Sequence, residues 1–465
     1  MVAAPPAVGL VSSQVRAHRF GFALAWAVAI AAYAAFGAWL VSHPPQLSSD
    51  DALFFAHGLV RYSILDLSPQ FPGYPGFIAM GRVLLPFAGG DPLHALALLT
   101  GFIAIALPPM AALIAFRHAG PGWPPVAAFL LTLTMPLLPD LALSLLSDGV
   151  ALVFLLLFLV LLPGKGQPYR LRALLAGVAL GWALACRPSD VALLGGAGLG
   201  ALIADRRLFW PGLAGGLIVV LPTAAVMLVI EPLYLTEGLR FTEGHALIWG
   251  NTPLSRGPHG DNWFEAIAAM PAGLWLVSAD AVGVVVALRY ARGLAAAPLA
   301  ILVALLAHAA WIAGFQNPDS LRHLAPLLLL GGLLIVLIAP RLRGLGIPLT
   351  VLCGLFQIWS LVSGTELRPS EPPPLQSAIT YLRGQGQGAA VATNQGVFLL
   401  RDALPATRVY DMHYPADAAL GLATATGPTF RLTSTSQSEN EPATTFPGRF
   451  IGEPTLYLYR TNSAD

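Results

Sequence analysis

Apolar runs long enough to cross a lipid bilayer recur about eleven times along this chain, and a chain built that way has few folds open to it. Hydrocarbon offers no water to backbone N–H and C=O groups, so each run must close its own hydrogen bonds as a helix. The runs lie near 20 to 42, 93 to 115, 124 to 139, 142 to 162, 173 to 187, 190 to 204, 210 to 230, 271 to 288, 295 to 315, 321 to 339 and 345 to 362. The fifth and sixth are short against the ~20 residues that a core of roughly 30 Å asks for. Only 11% of the chain is charged and its mean hydropathy is +0.69, where an ordinary soluble domain has about 25% charged residues. The expected fold class is a polytopic α-helical membrane protein with about eleven transmembrane helices.

Arginines set the expected orientation. Arg16 and Arg19, then Arg117, then Lys165, Arg170 and Arg172, then Arg206 and Arg207, then Arg289 and Arg292, then Arg341 and Arg343 flank alternate loops. The positive-inside rule puts those loops and the amino terminus in the cytoplasm. Asp50, Asp140, Arg187, the stretch from 231 to 269 and the stretch from 316 to 322 are then extracytoplasmic, as is the carboxyl terminus. The first run is long enough to span and shows no cleavage site, so it reads as a helix and not as a removable signal. A net charge of +1 with no basic stripe excludes nucleic acid as a partner. The two cysteines, Cys186 and Cys353, sit in apolar runs and imply no disulfide framework.

The pattern changes after Ser363. Residues 1 to 363 read as the membrane domain, with a first outer loop from 43 to 92, and 364 to 465 as a small extracytoplasmic α/β domain. Within it the sequence predicts helices at 374 to 383 and 397 to 404, and strands at 389 to 393, 408 to 412, 430 to 434 and 455 to 459. The polar stretch from 435 to 447 reads as a loop.

Polar residues within such a chain need a reason. Asp50 and Asp51 follow directly on the first run, where Ser48 or Ser49 can cap a helix and the helix dipole favours acids in the first turn. Spacings of four, three and four residues then put Asp50, Phe54, His57 and Arg61 on one face, with Asp51 pointing elsewhere. Asp66, Tyr74 and Arg82 lie further along the same loop, and PGYPGF at 72 to 77 imposes a rigid turn. Capping and headgroup contacts account for such residues blandly. A pair of acids sharing its helix with His and Arg also suits chemistry.

Ser147 and Asp148 fall inside the fourth run, about 21 Å from its cytoplasmic end and so in its outer third. An acid at that depth is expected to face a partner or a wet cavity. Arg187, Pro188 and Asp190 follow the fifth run, and Arg187 can either snorkel or hold a phosphate. Asn317, Asp319, Arg322 and His323 open the tenth, where Arg322 and His323 form the densest basic pair on the outer side and suit an anion. His308 reads as a histidine bonded between helices. Glu231, Glu237, Glu243, His245, His259 and Asp261 match no zinc spacing, and no Walker loop, dinucleotide fingerprint, nucleophile elbow or HExxH occurs.

The acid pair after the first span, the PGYPGF turn, Ser147–Asp148, the Arg-Pro of ACRPSD and RHLAPLLLL at the tenth span occur in one order and on one expected side. Together they resemble the GT-C superfamily of integral membrane glycosyltransferases. That group includes protein O-mannosyltransferases and the aminoarabinose and galacturonic acid transferases acting on lipid A. The likeness covers roughly residues 20 to 362.

The resemblance implies transfer of a hexosyl or pentosyl group from a polyprenyl phosphate donor to a lipid, glycan or protein acceptor outside the cytoplasm, with inversion. It places the chain in the cell envelope of a bacterium, in the inner membrane among membrane lipids. Asp50 would be the base beside Asp51. His57, Arg61, Tyr74 and Asp148 would line the substrate site, and Arg187, Arg322 and His323 would hold the phosphate. No cofactor is certain, and a divalent metal held by the acids stays open. Two other classes fit the polar residues less well. A transporter or flippase of a lipid-linked saccharide would use Asp148, Arg187 and His308 along a path. A receptor module would not need so many spans.

Overall fold

The computed structural model describes residues 8–164, 168–249, 263–342, 344–365, 371–436 and 441–461. Lys165, Arg343, His259 and Asp261 lie outside them. In chain order the first helices are α1 Val8–Val41, α2 Asp50–Val60, α3 Pro75–Leu84, α4 Pro92–Ala119, α5 Trp123–Leu133, α6 Leu138–Leu143, α7 Asp148–Leu161 and α8 Tyr169–Cys186. There follow α9 Val191–Ala204, α10 Phe209–Ile230, α11 Tyr234–Trp249, α12 Trp263–Ala269, α13 Gly273–Arg289, α14 Ala296–Phe315, α15 Ala325–Ile338 and α16 Gly346–Gly364.

All eleven expected runs are largely helical, but they are not eleven full-length spans. Seven helices among the described residues are long and apolar enough to cross a membrane, or eight if α12 and α13, bent by 115°, count as one. The largest difference falls between 124 and 162, where two expected spans become three helices. α5 has 11 residues and stops at Thr134, because Pro136 has no N–H to continue the ladder and Pro139 follows at the start of α6. Leu145 then takes a left-handed backbone (φ 62°) that ends the α6 segment. Asp148 therefore opens α7 and is not inside a continuous span, so its carboxylate lies in the first turn of a helix.

The apolar helices meet through small residues. A side chain at Gly215 of α10 would collide with the Leu174 carbonyl of α8 at 2.0 Å, so the two backbones touch as lipid-embedded helices commonly do. The main core includes buried residues of α14 and α15; thirteen of the fourteen residues of α15 are buried, all but Leu327, and no polar side chain interrupts it there.

The region after α16 forms a five-stranded sheet. Its helices are α17 Pro374–Arg383, α18 Val397–Ala403 and α19 Pro415–Ala423. The strands are β1 Ala390–Thr393, β2 Arg408–Asp411, β3 Thr429–Thr433, β4 Thr444–Phe446 and β5 Leu456–Thr461, in the order β2-β1-β3-β5-β4. The first three run parallel, and β5 lies antiparallel to β3 and β4. Helix α19 and strand β4 were not expected, and β4 falls inside the expected loop. The core of this layer takes in Leu53 of α2, so α2 is buried on one side by the sheet domain and on the other by the membrane helices.

Candidate active site

The acid pair divides between those two neighbours. Ser49 caps α2, its Oγ accepting from the Ala52 N–H at 3.3 Å. Consecutive residues on a helix point about 100° apart, and here that angle spans an interface. Asp50 turns to the sheet domain, where its Oδ1 accepts from the backbone N–H of Leu399 at 2.8 Å at the start of α18. Phe54, one turn on, meets Phe398 edge to face with ring centres 5.1 Å apart. Burial pushes the Asp50 carboxyl above the ordinary range and Asp51 adds to this, while the N–H groups of Leu399 and Phe398 pull it back.

Asp51 turns to the membrane helices. Its Oδ2 accepts from Arg322 Nη2 at 2.7 Å and its Oδ1 from Gln70 Nε2 at 3.0 Å. Arg322 also approaches Asp148, with 3.9 Å between its Nε and Oδ1, yet that buried Nε makes no hydrogen bond. Asp148 is completed by Arg187, whose Nη1 donates to Asp148 Oδ2 at 2.9 Å and to Ser147 Oγ at 3.1 Å, while its Nε donates to Asp190 at 3.1 Å. Three carboxylates and two guanidiniums thus alternate in the order Asp51, Arg322, Asp148, Arg187, Asp190.

Accessibility falls along that series. Asp51 and Arg322 side chains are 34% and 21% exposed, Asp148 and Arg187 only 9% and 7%. Asp51 and Arg322 are thus the accessible members of the series, and Asp148 and Arg187 are buried.

Local folding explains how the residues converge. Arg187 follows the last turn of α8, Asp148 opens α7 and Arg322 precedes α15, so one end of the bundle supplies all three. Tyr74, at φ 47°, caps α3, and a side chain on Gly76 would strike the end of α8 at 2.9 Å. That glycine lets α3 lean on α8 and brings Tyr74, packed on Phe55 at 4.9 Å, beside Arg187. Burial pushes the Tyr74 phenol up to about 12, so it is a neutral hydroxyl.

The other expected residues lie elsewhere. His57 is exposed. Arg61 pairs with Asp66 at 3.0 Å with both side chains largely in solvent. The expected face breaks there because α2 ends at Val60 and Arg61 has an extended backbone, so helical spacing no longer applies. His323 sits beside Arg322, and its carbonyl accepts from His308 Nε2 at 3.0 Å. Gln70 was not anticipated, since an amide in a proline-rich loop carries no signal of its own.

Asp140 was placed only as an outer-loop acid. It is buried on α6 under Gly452 of the sheet domain, whose added side chain would lie 2.9 Å from the carboxyl carbon. Burial, with Asp148 and Glu453, pushes it up to about 7 against the pull of Arg322.

Among the described residues no group of three or more His, Cys, Asp or Glu is placed to hold a metal ion. The acid pair diverges, and the two carboxylates nearest the opening, Asp51 and Asp148, are each engaged by a guanidinium. That donor set does not fit a divalent cation.

No protein-family model and no curated relative matches the chain. Solved structures do. ArnT from Cupriavidus metallidurans in the apo state superposes with a TM-score of 0.53 at 12% identity, covering 94% of this chain and 98% of that one. ArnT from the same organism bound to undecaprenyl phosphate superposes equally well, covering 95% of this chain and 98% of that one. At that identity the likeness shows the fold alone: a mostly helical membrane architecture, as the apolar runs led us to expect, with the small sheet domain that the patterning after Ser363 predicted.

Proposed function

We propose that this chain is a membrane glycosyltransferase that takes a sugar from a polyprenyl phosphate and passes it, with inversion, to a hydroxyl on a lipid, glycan or protein acceptor outside the cytoplasm. The observation that carries this reading is the open Asp51–Arg322 end of a buried charge series on a fold shared with a protein that binds undecaprenyl phosphate.

The chemistry needs two things. A polyprenyl phosphate leaves as an anion, so the site must supply cations, and the acceptor hydroxyl needs a base. Arg322 offers a partly exposed guanidinium with an unused Nε–H, and Arg187, engaged by Asp148 and Asp190, fixes the acid that faces Arg322. In this reading the acceptor oxygen bonds to the anomeric carbon as the bond to the phosphate oxygen breaks. The acceptor proton passes to a carboxylate and the electron pair leaves on the phosphate.

Sequence pattern favours Asp50 as the base, whereas geometry favours Asp51. Of the acid pair only Asp51 contacts Arg322, and phosphate binding at Arg322 would release that carboxylate to accept a proton. Asp50 then serves to hold α2 against the sheet domain. Placement of the charges at one end of α7, α8 and α15, and not along a path through the bundle, supports transfer over transport.

The deciding experiment supplies purified full-length protein with radiolabelled polyprenyl phosphate sugars and a membrane lipid extract. Labelled product from wild type and none from Asp51→Asn is the expected result. Absence of transfer from every donor, with the donor carried intact across vesicle membranes, would establish transport instead.

A further inference from the structure

A second basic site lies at the opposite end of the bundle. α15, about 20 Å long at 1.5 Å per residue, starts just after Arg322 and ends just before Arg341. Next to Arg341, where α13 turns into α14, a cavity of about 500 Å³ is lined by Leu288, Arg289, Tyr290, Arg292, Gly293 and Arg341. Arg341 Nη2 donates to the Gly293 carbonyl at 3.0 Å, which fixes its guanidinium at the rim and ties the end of α15 to that turn.

The charge there is unbalanced. Among the described residues none of the three arginines takes part in an ion pair, and no acid lines the cavity. The positive-inside rule explains arginines on this side of a membrane. It does not require three from two separate segments to border one cavity, with one held by a backbone carbonyl. Like charges so placed repel, and a phosphate would satisfy several donors at once. The remaining lining is apolar or amphipathic: Leu288 is 48% exposed and Tyr290 38% exposed, as suits the level of lipid headgroups.

We propose that this cavity binds the phosphate headgroup of an anionic phospholipid in the leaflet remote from the candidate active site. A free phosphate ion shares the charge chemistry but would leave most of the cavity unfilled and make no use of Leu288 and Tyr290. The proposal is independent of the glycosyl-transfer reading.

Native mass spectrometry of the full-length protein, taken from mixed micelles of phosphatidylglycerol and phosphatidylcholine, tests it. Wild type should retain one phosphatidylglycerol in preference to phosphatidylcholine. The triple variant Arg289→Gln, Arg292→Gln, Arg341→Gln should lose that preference roughly tenfold or more, as expected for removed charge-assisted bonds. Arg206→Gln with Arg207→Gln, changed on another turn at the same end, should leave it intact. Because losing three charges can disturb insertion, the triple variant Arg289→Lys, Arg292→Lys, Arg341→Lys is measured too. It keeps the charge but not the forked donors, and should show an intermediate preference. Equal retention of both lipids by wild type, or undiminished preference in both triple variants, would overturn the proposal. Displacement of the bound lipid by millimolar inorganic phosphate would reassign the cavity to a soluble anion.

Discussion

Asp51 and Arg322, 271 residues apart in sequence, form a 2.7 Å ion pair that leaves one buried N–H of the guanidinium unused. A partly satisfied cation paired to a partly exposed acid is a site that an incoming phosphate can enter by exchange. Two substitutions separate the partners. Arg322→Gln should weaken donor binding by about 1.5 to 3 kcal/mol, or ~10- to 100-fold, from loss of charged hydrogen bonds. Asp51→Asn should lower the transfer rate by about 10²- to 10⁴-fold, the usual range for a general base. It should leave donor binding unchanged or tighter, because the competing carboxylate is gone. Binding and single-turnover measurements on the two variants distinguish these effects, and a rate for Asp51→Asn within threefold of wild type would remove Asp51 from the mechanism.

Asp50 should behave differently from its neighbour. Its bond to the Leu399 N–H resembles a helix cap, so Asp50→Asn is expected to cost about 1 to 2 kcal/mol at the interface of α2 with the sheet domain. Faster proteolysis of residues after α16, with activity reduced far less than in Asp51→Asn, is the expected pattern. Complete loss of activity with unchanged protease resistance would restore Asp50 as the base.

Arg187 holds two buried acids at once, Asp148 and Asp190. Arg187→Leu leaves Asp190 without its guanidinium and Asp148 with only the 3.9 Å approach of Arg322, a loss expected to cost about 3 to 5 kcal/mol. Arg187→Lys should rescue little, since one ammonium cannot reproduce the separate Nε and Nη1 bonds. Thermal unfolding in detergent checks this, and a variant as stable as wild type would mean that water fills the gap.

Asp140 sets a pH dependence. Its carboxyl is raised from the ordinary 3.8 to about 7, so the folded protein binds a proton there that the unfolded chain has released. Stability is then greatest below the lower value and falls as pH rises through the window to the upper one. Wild type should accordingly unfold at a lower temperature at about pH 8 than at about pH 5, and Asp140→Asn should flatten that difference. A slope unchanged in Asp140→Asn would place the titrating group elsewhere.

The sequence carried some of this plainly and hid the rest for physical reasons. Hydropathy finds each lipid-facing segment because the bilayer acts on every residue of it. Hydropathy does not find the breaks at Pro136 and Leu145, since Leu145 is apolar yet takes a left-handed turn. Arg187, Arg322 and Asp148 were legible as a group because charge beside apolar runs is rare. The separation of Asp50 from Asp51 was not, since the partner of Asp50 is a backbone N–H 349 residues away, which has no residue signature. Helical periodicity also misplaced Arg61, which lies one residue past the helix end where periodicity stops.

Leu53 lies in the same hydrophobic core as Leu456 and Leu458 of β5, a strand that follows α1 to α16 in the described residues. During synthesis, α2 and its acids emerge long before the residues that complete their support. The bundle can insert early, but the acids reach their final setting only after β5 has been made and has folded back onto α2. The order of translation thereby separates insertion of the helices from completion of the Asp50 and Asp51 surroundings.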